Sequence, residues 1–243
     1  MVTSSQVRGE RVGSAKQALL ITLDRPHCAN SYTAAMLDDL SKLLGETRAH
    51  GAVRAVVITG AGNAFCGGAD LTELGSRSGV EALELRSREV FDRFADAPWL
   101  TLAALNGPAV GGGFELALAC DLRVCTHQTF FKFPEVELGL VPAAGGIRRL
   151  VAEVGASRAK ELVLFGKTLD AAAALAWGLV SRVDEQPLER TLELVEALAT
   201  RDPMCIAAAK LLVADRVEAL SGRGGEALAQ ALLYGRRQKA RAT

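Results

Sequence analysis

The sequence predicts an α/β core followed by a helical C-terminal region. Apolar strand-like runs and helical periods alternate up to about Val183, and only helical periods follow. Several strand-like runs end in glycine-rich turns (GAGNAFCGG, NGPAVGGG), as expected where a strand hands over directly to a helix. The chain is 243 residues long and 49% hydrophobic, enough to enclose a core without disulfide or metal staples.

The first dozen residues are polar and read as a frayed or weakly paired start that is no signal peptide. Ala18 to Leu23 (ALLITL) is rich in aliphatic and β-branched residues and reads as a strand. Asp24-Arg25-Pro26 closes it, because proline cannot continue a ladder. A helix begins after Thr33, a plausible N-cap, with Met36, Leu37, Leu40, Leu43 and Leu44 at helical spacing. Val53 to Thr59 is a buried strand, Gly79 to Ala95 an amphipathic helix, and Leu100 to Leu105 a further strand closed by Asn106-Gly107-Pro108. The triple glycine 111–113 opens into FELALAC, apolar all round and therefore a fully buried helix. Short strands follow at Leu122 to Cys125 and Thr129 to Phe133. Helices are expected at Ala144 to Val154, Ala156 to Phe165, Ala171 to Trp177, Thr191 to Leu198 and Pro203 to Leu220. No 20–50-residue repeat is evident.

Charge and composition exclude several classes. Twenty-eight basic residues balance 28 acidic ones, so binding to nucleic acid through bulk charge is not expected. No apolar stretch approaches the ~20 residues of a membrane span. Five cysteines, an odd number without a CxxC pair, suit small buried residues in a reducing cytoplasmic setting better than disulfides or zinc. His27, His50 and His127 are scattered without metal-ligand spacing. A GxSxG elbow is absent, and the basic run 236–241 reads as a solvated tail or a phosphate contact.

Three segments could carry chemistry. The first, Gly60-Ala61-Gly62-Asn63-Ala64-Phe65, follows a strand, but Phe65 fills the place where a dinucleotide fingerprint needs a third small residue. It is an ordinary loop, or one shaped to expose backbone N–H groups near Ala69. The second is Gly111-Gly112-Gly113-Phe114-Glu115. Glycines before a helix allow close backbone approach, and the free N–H groups of a helix N-terminus suit a developing oxyanion. Glu115 is then either a dipole-stabilising carboxylate or an acid–base group in a buried cleft. In the third, Glu135 follows a strand and Pro134, while Glu137, two residues on, points elsewhere if the chain stays extended. Glu115 and Glu135 are thus two carboxylates on separate elements, able to flank a water or a substrate carbon.

In this order, LDRPHCANS, GNAFCGGADL, NGPAVGGGFELALACDLRV, FKFPEVELGLVPAAGG and AWGLVSRV resemble the crotonase superfamily, and within it the enoyl-CoA hydratase/isomerase family. The resemblance implies a crotonase-like spiral of ββα units over residues 1–185 with the acyl-CoA site. It also implies a helical C-terminal region, 186–243, shorter than usual and packing at a subunit interface of a homotrimer or dimer of trimers. By motif position, the backbone N–H groups of Ala69 and Gly112 form an oxyanion hole, each donor worth about 3–4 kcal/mol to the transition state. Glu115 and Glu135 act on one water in the hydration of a 2-enoyl-CoA thioester. Sequence does not assign base and acid between them, though the resemblance favours Glu135 for protonating the α-carbon. An isomerase, hydrolase, decarboxylase or non-catalytic acyl-CoA binder are the alternatives.

The resemblance further places His27, Cys28, Ala29, Ser31, Gly67, Gly68, Asp70, Leu71 and Pro134 along the substrate. It calls for no cofactor, coenzyme A being part of the substrate. Relatives often carry lysine where this chain has His27 and Asn63. Phosphate binding then relies on other cations such as C-terminal arginines of a neighbouring subunit, or CoA affinity is weak, or an acyl carrier brings the acyl group.

Overall fold

A computed structural model describes residues 6–50, 53–74 and 85–213. The N-terminal pentapeptide, the start of the expected Gly79 helix, the end of the Pro203–Leu220 helix and the basic run 236–241 lie outside the described residues. The central strands β2 (Ala18–Leu23), β3 (Ala55–Gly60) and β4 (Leu100–Leu105) pair in parallel and are covered on both faces. This is why they read as unbroken apolar runs rather than alternating ones. β6 (Leu122–Cys125) and the two-residue β9 (Arg182–Val183) extend the sheet on one side and β1 (Val7–Val12) on the other, in the order β1-β2-β3-β4-β6-β9.

β1 (Val7–Val12) corrects the expectation of a frayed start. It pairs with β2 over its whole length, Val7 opposite Leu23 and Val12 opposite Ala18. Buried Val7 and Gly9 alternate with exposed Arg8 and Glu10, the pattern of an antiparallel edge strand with one wet face. Two arginines and a glutamate within six residues masked that period.

A smaller sheet of β5 (Ala109–Val110), β7 (Phe130–Lys132) and β8 (Leu169–Asp170) lies beyond the ends of the large one. Isolated parallel bridges, Tyr32 to Ala69 and Cys66 to Ala109, continue its edge. The expected ββα spiral is visible in this path. Each turn gives one strand to the large sheet, a second short segment to the small one, and then a helix. β2 leads through Tyr32 to α1 (Ala34–His50), β3 through Cys66 to α2 (Leu71–Leu74) and α3 (Arg86–Ala95). β4 leads through β5 to α4 (Gly112–Ala119), and β6 through β7 to α5 (Gly146–Leu164). β5, β8 and β9 escape sequence reading because two residues carry no period.

The helices follow their sequence signals. Thr33 Oγ1 accepts the Met36 N–H at 3.3 Å at the start of α1. All eight residues of α4 are buried. α5 is broken at Gly155, whose φ of 80° and ψ of 162° leave the helical region, so it consists of two helical segments that meet where the sequence separates them. Asp170 caps α6 (Ala171–Ala176) through the Ala173 N–H at 2.7 Å.

The core lies in two parts. The larger joins α1, α3, α4 and α5 to one face of the sheet, with Phe65, Phe91, Phe94, Phe114, Phe131 and Phe133 fully enclosed. The smaller lies on the other face, where Ala18, Leu20, Val57, Leu102 and Ala104 meet Val195 of α7 (Pro187–Glu196). α7 therefore covers its own chain's sheet. α8 (Pro203–Val213) is tied to the sheet by Lys210, which bonds Asp121 at 2.8 Å and the Trp99 carbonyl at 3.0 Å. Of the five cysteines, Cys66, Cys120 and Cys125 are buried as expected, and burial pushes each thiol up to about 12. Cys28 is half-buried and Cys205 is exposed, contrary to the expectation of five core residues.

Candidate active site

The spiral brings three consecutive turns together at one point. Tyr32 and the segment around Ala69 are laced by Tyr32 N–H to Gly68 O (2.8 Å) and Asp70 N–H to Tyr32 O (2.9 Å). In a parallel bridge this pattern uses the amides on either side of Ala69 and turns the Ala69 N–H away from the ladder. The next turn follows, with Val110 N–H bonded to Cys66 O at 3.0 Å and Gly111 N–H to Lys132 O at 2.9 Å. Gly112 then opens α4. Among the described residues neither the Ala69 nor the Gly112 N–H has an acceptor.

The triple glycine is a packing requirement. A Cβ on Gly113 would stand 2.1 Å from the Cys66 carbonyl oxygen, and one on Gly112 would stand 2.1 Å from the Tyr32 hydroxyl. Gly111 has φ 54° and ψ −126°, and its missing side chain leaves room for Glu135 Oε1 at 2.9 Å from the Cβ position. The sterics that demand glycine thus bring Gly112 beside Gly68, and Glu135 beside Gly111.

A cavity of about 590 Å³ opens here. Its wall includes Gly67, Gly68, Ala69, Leu71, Gly112, Glu115, Pro134 and Glu135. All four residues expected to act on substrate, and four of those expected to bind it, therefore face one space. His27, Cys28, Ala29, Ser31 and Asp70 do not line it. They form the adjoining layer: His27 and Cys28 lie in a 3-10 turn, Ala29 O accepts the Gly67 N–H at 2.8 Å, and Ser31 Oγ lies 2.9 Å from the Cβ position of Gly67. Asp70 caps the short α2, accepting from the Thr72 hydroxyl (2.6 Å) and amide (3.0 Å), and pairs with Arg25 at 3.0 Å. These bonds, the Thr72 hydroxyl foremost, hold its carboxyl down at about 2.

The two glutamates differ in environment. Glu115 is 4% exposed, and its Oε1 accepts two backbone amides, Ala144 and Gly146, each at 2.8 Å. Burial pushes its carboxyl up to about 7, the Glu135 charge adds to the rise, and the two amides and Arg149 oppose it. Glu135 is half-buried, and its Oε2 is enclosed without a hydrogen-bond partner. Burial raises its carboxyl as well, against the smaller opposing pull of its own backbone amide. Glu137 is excluded for a reason other than the expected one. The chain does not stay extended; Glu135–Leu138 form a 3-10 turn ended by Gly139, and Glu137 turns outward to Lys132 at 3.1 Å.

The dinucleotide alternative for Gly60–Phe65 fails on local geometry. No helix follows these glycines until Leu71, and Phe65 is a fully buried core residue. Sequence reasoning overlooked the wall contributed by Tyr32, Leu85, Ser87, Leu138, Leu140 and Val141, and the amides of Ala144 and Gly146. Only the PAAGG run, glycines ahead of a helix, hinted at the last two.

The family model for enoyl-CoA hydratase/isomerase matches residues 14–241. The chain is 36% identical over 201 residues to 2,3-dehydroadipyl-CoA hydratase of Escherichia coli, covering 82% of this chain and 79% of that protein. It is 34% identical over 203 residues to the mitochondrial enoyl-CoA hydratase of Pongo abelii, covering 83% and 70%. The crystal structure of enoyl-CoA hydratase from Bacillus anthracis superposes with a TM-score of 0.87 at 31% identity, covering 93% of this chain and 90% of that one.

Proposed function

The chain belongs to the enoyl-CoA hydratase/isomerase family of the crotonase superfamily, and from that premise we propose that it hydrates the 2,3 double bond of a 2-enoyl-CoA thioester, or dehydrates the product. The observation that carries this reading is the wall of one cavity shared by Ala69, Gly112, Glu115 and Glu135. The thioester oxygen accepts the N–H groups of Ala69 and Gly112, which draws electrons from the β-carbon and stabilises the enolate-like oxygen as it forms. Glu115, as carboxylate, takes a proton from water as that water attacks the β-carbon. Glu135, protonated, delivers its proton to the α-carbon. Water and proton are delivered to the same face of the double bond, so addition is syn.

The hydrogen bonds support this division. Two backbone donors on Glu115 Oε1 favour its anion, whereas no donor meets the enclosed Oε2 of Glu135, which favours the neutral acid. Close carboxyls that share one proton titrate as a pair, and these environments decide where the proton resides. The steps use only these groups and call for no cofactor beyond the coenzyme A of the substrate, or an acyl carrier in its place. His27, Cys28, Ala29, Ser31 and Asp70 belong to this proposal as the loop layer flanking the bound thioester.

Loss of the conjugated enoyl absorbance of crotonyl-CoA tests the reading. Glu115→Gln and Glu135→Gln are each expected to slow it by about 10²–10⁴-fold. Unchanged rates in both variants would refute the two-carboxylate mechanism, and double-bond migration without water uptake would mark an isomerase. Association into a homotrimer or dimer of trimers and a cytoplasmic setting are part of the same proposal. The exposed apolar side chains of Leu164 and Phe165, outside the cavity wall, support the first. Among the described residues no helix is long and apolar enough to cross a membrane.

A further inference from the structure

The amides that hold Glu115 sit on a turn, 144–146, with an anchor of its own. Arg149, one turn into α5, is buried with 8% of its side chain exposed. Its Nη1 donates to the Ala144 carbonyl at 3.0 Å, and its Nη2 contacts Asp92 of α3. Gly145 makes room for it: a Cβ there would lie 2.5 Å from Nη1, and the residue holds φ at 93°. Ala144 thus points its N–H at Glu115 Oε1 and its carbonyl at the guanidinium. Gly146, the second donor, packs against Glu115, its Cβ position 2.5 Å from Glu115 Cγ.

We propose that Arg149 is the positioning residue for Glu115, clamping the Ala144–Gly146 turn to α3 so that both amides stay aimed at Oε1. The charged groups acting on Glu115 among the described residues are Glu135, from the 3-10 turn, and Arg149, from α5. Glu135 raises the affinity of Glu115 for its proton, and Arg149 lowers it. Asp92 and Arg148 in turn act on Arg149: Asp92 stabilises the guanidinium and Arg148 repels it. Loss of the clamp therefore removes two influences that favour ionised Glu115, the oriented donors and the cation, and the carboxyl titrates at higher pH.

The kinetic part of this inference rests on the hydration reading, and the titration part does not. Arg149→Gln is expected to lower kcat on crotonyl-CoA by about 10²-fold, the scale of a displaced catalytic group, with KM changed less than about threefold. The acid limb of its rate profile moves to higher pH. Arg149→Lys keeps the charge without the fork that spans Ala144 and Asp92, so it loses kcat but shifts the acid limb less. In ligand-free protein, 13C NMR of δ-labelled glutamate, assigned with Glu115→Gln, is expected to show the Glu115 titration rising in Arg149→Gln. Should that variant fail to fold, Asp92→Asn loosens the same grip and must shift the titration in the same direction. A folded Arg149→Gln or Asp92→Asn with the wild-type Glu115 titration overturns the proposal, as does a fall in kcat with the acid limb unmoved. Wild-type protein that hydrates no enoyl-CoA while the titration still shifts refutes the hydratase reading and leaves the clamp standing.

Discussion

Glu115 is the residue in which folding and function most openly conflict. An ordinary glutamate ionises near 4.5, whereas burial carries this one to about 7. Below the ordinary value the residue is neutral in folded and unfolded chains alike. As pH rises from there to about 7 the unfolded chain releases the proton and the folded chain retains it, so stability is lost across that window and stays lost above it. Glu115→Gln keeps an oxygen for the Ala144 and Gly146 amides and cannot ionise. At pH 8 it is expected to be more stable than wild type, relative to the difference at pH 4, by on the order of 3 kcal/mol. Urea titrations of both proteins at the two pH values check this, and equal differences at both would contradict it. The same group sets the rate profile: as a base titrating at about 7, it makes kcat/KM rise with pH through that value. A profile flat from pH 5 to 8 would remove Glu115 from the base role.

At the scale of elements, α4 is the part most tightly determined by its neighbours. Phe114 packs against Phe131 and Phe133 at ring distances of 5.0 and 4.6 Å, fixing the helix to β7. Arg123, on β6, donates to the carbonyls of Cys120 (2.6 Å) and Ala117 (3.3 Å) and so closes its C-terminal end. At the other end Gly113 touches the Cys66 carbonyl, with backbone on both sides of the contact. Gly113→Ala therefore has no flexible side chain to displace. It is expected to cost about 1–3 kcal/mol and to move the Gly112 amide. Thermal denaturation together with a thioester binding assay would detect both effects, and an unperturbed variant would show that the contact can open freely. Thr33→Ala should cost only about 1 kcal/mol through its lost cap, read in the same denaturation experiment, and leave the cavity intact.

At the scale of the whole molecule, the sheet needs a cover on each face. α1, α3, α4 and α5 supply one and α7 the other. Val195, fully buried on α7, is expected to lose roughly 1–3 kcal/mol on substitution by alanine. The loss should appear in urea denaturation as a lower midpoint with one cooperative transition. Two separate transitions would mean that the helical region folds independently of the core.

The sequence alone determined the strands β2, β3 and β4, the buried character of α4, and the glycines and carboxylates that meet at the cavity, because each is written in local pattern: apolar runs, glycine before helix, a carboxylate where an apolar face should be. The division of α5 into two helical segments was legible too, since the expected helices stop at Val154 and resume at Ala156. Tertiary structure decided what depends on packing between distant segments. The pairing of β1 follows from a partner strand its charges concealed, and the turn at Glu135–Leu138 from its closure by Gly139. The different surroundings of Glu115 and Glu135 arise from amides some thirty residues away on another turn of the spiral. A residue's type is local information, whereas its desolvation and its donors are properties of whatever the chain folds against it.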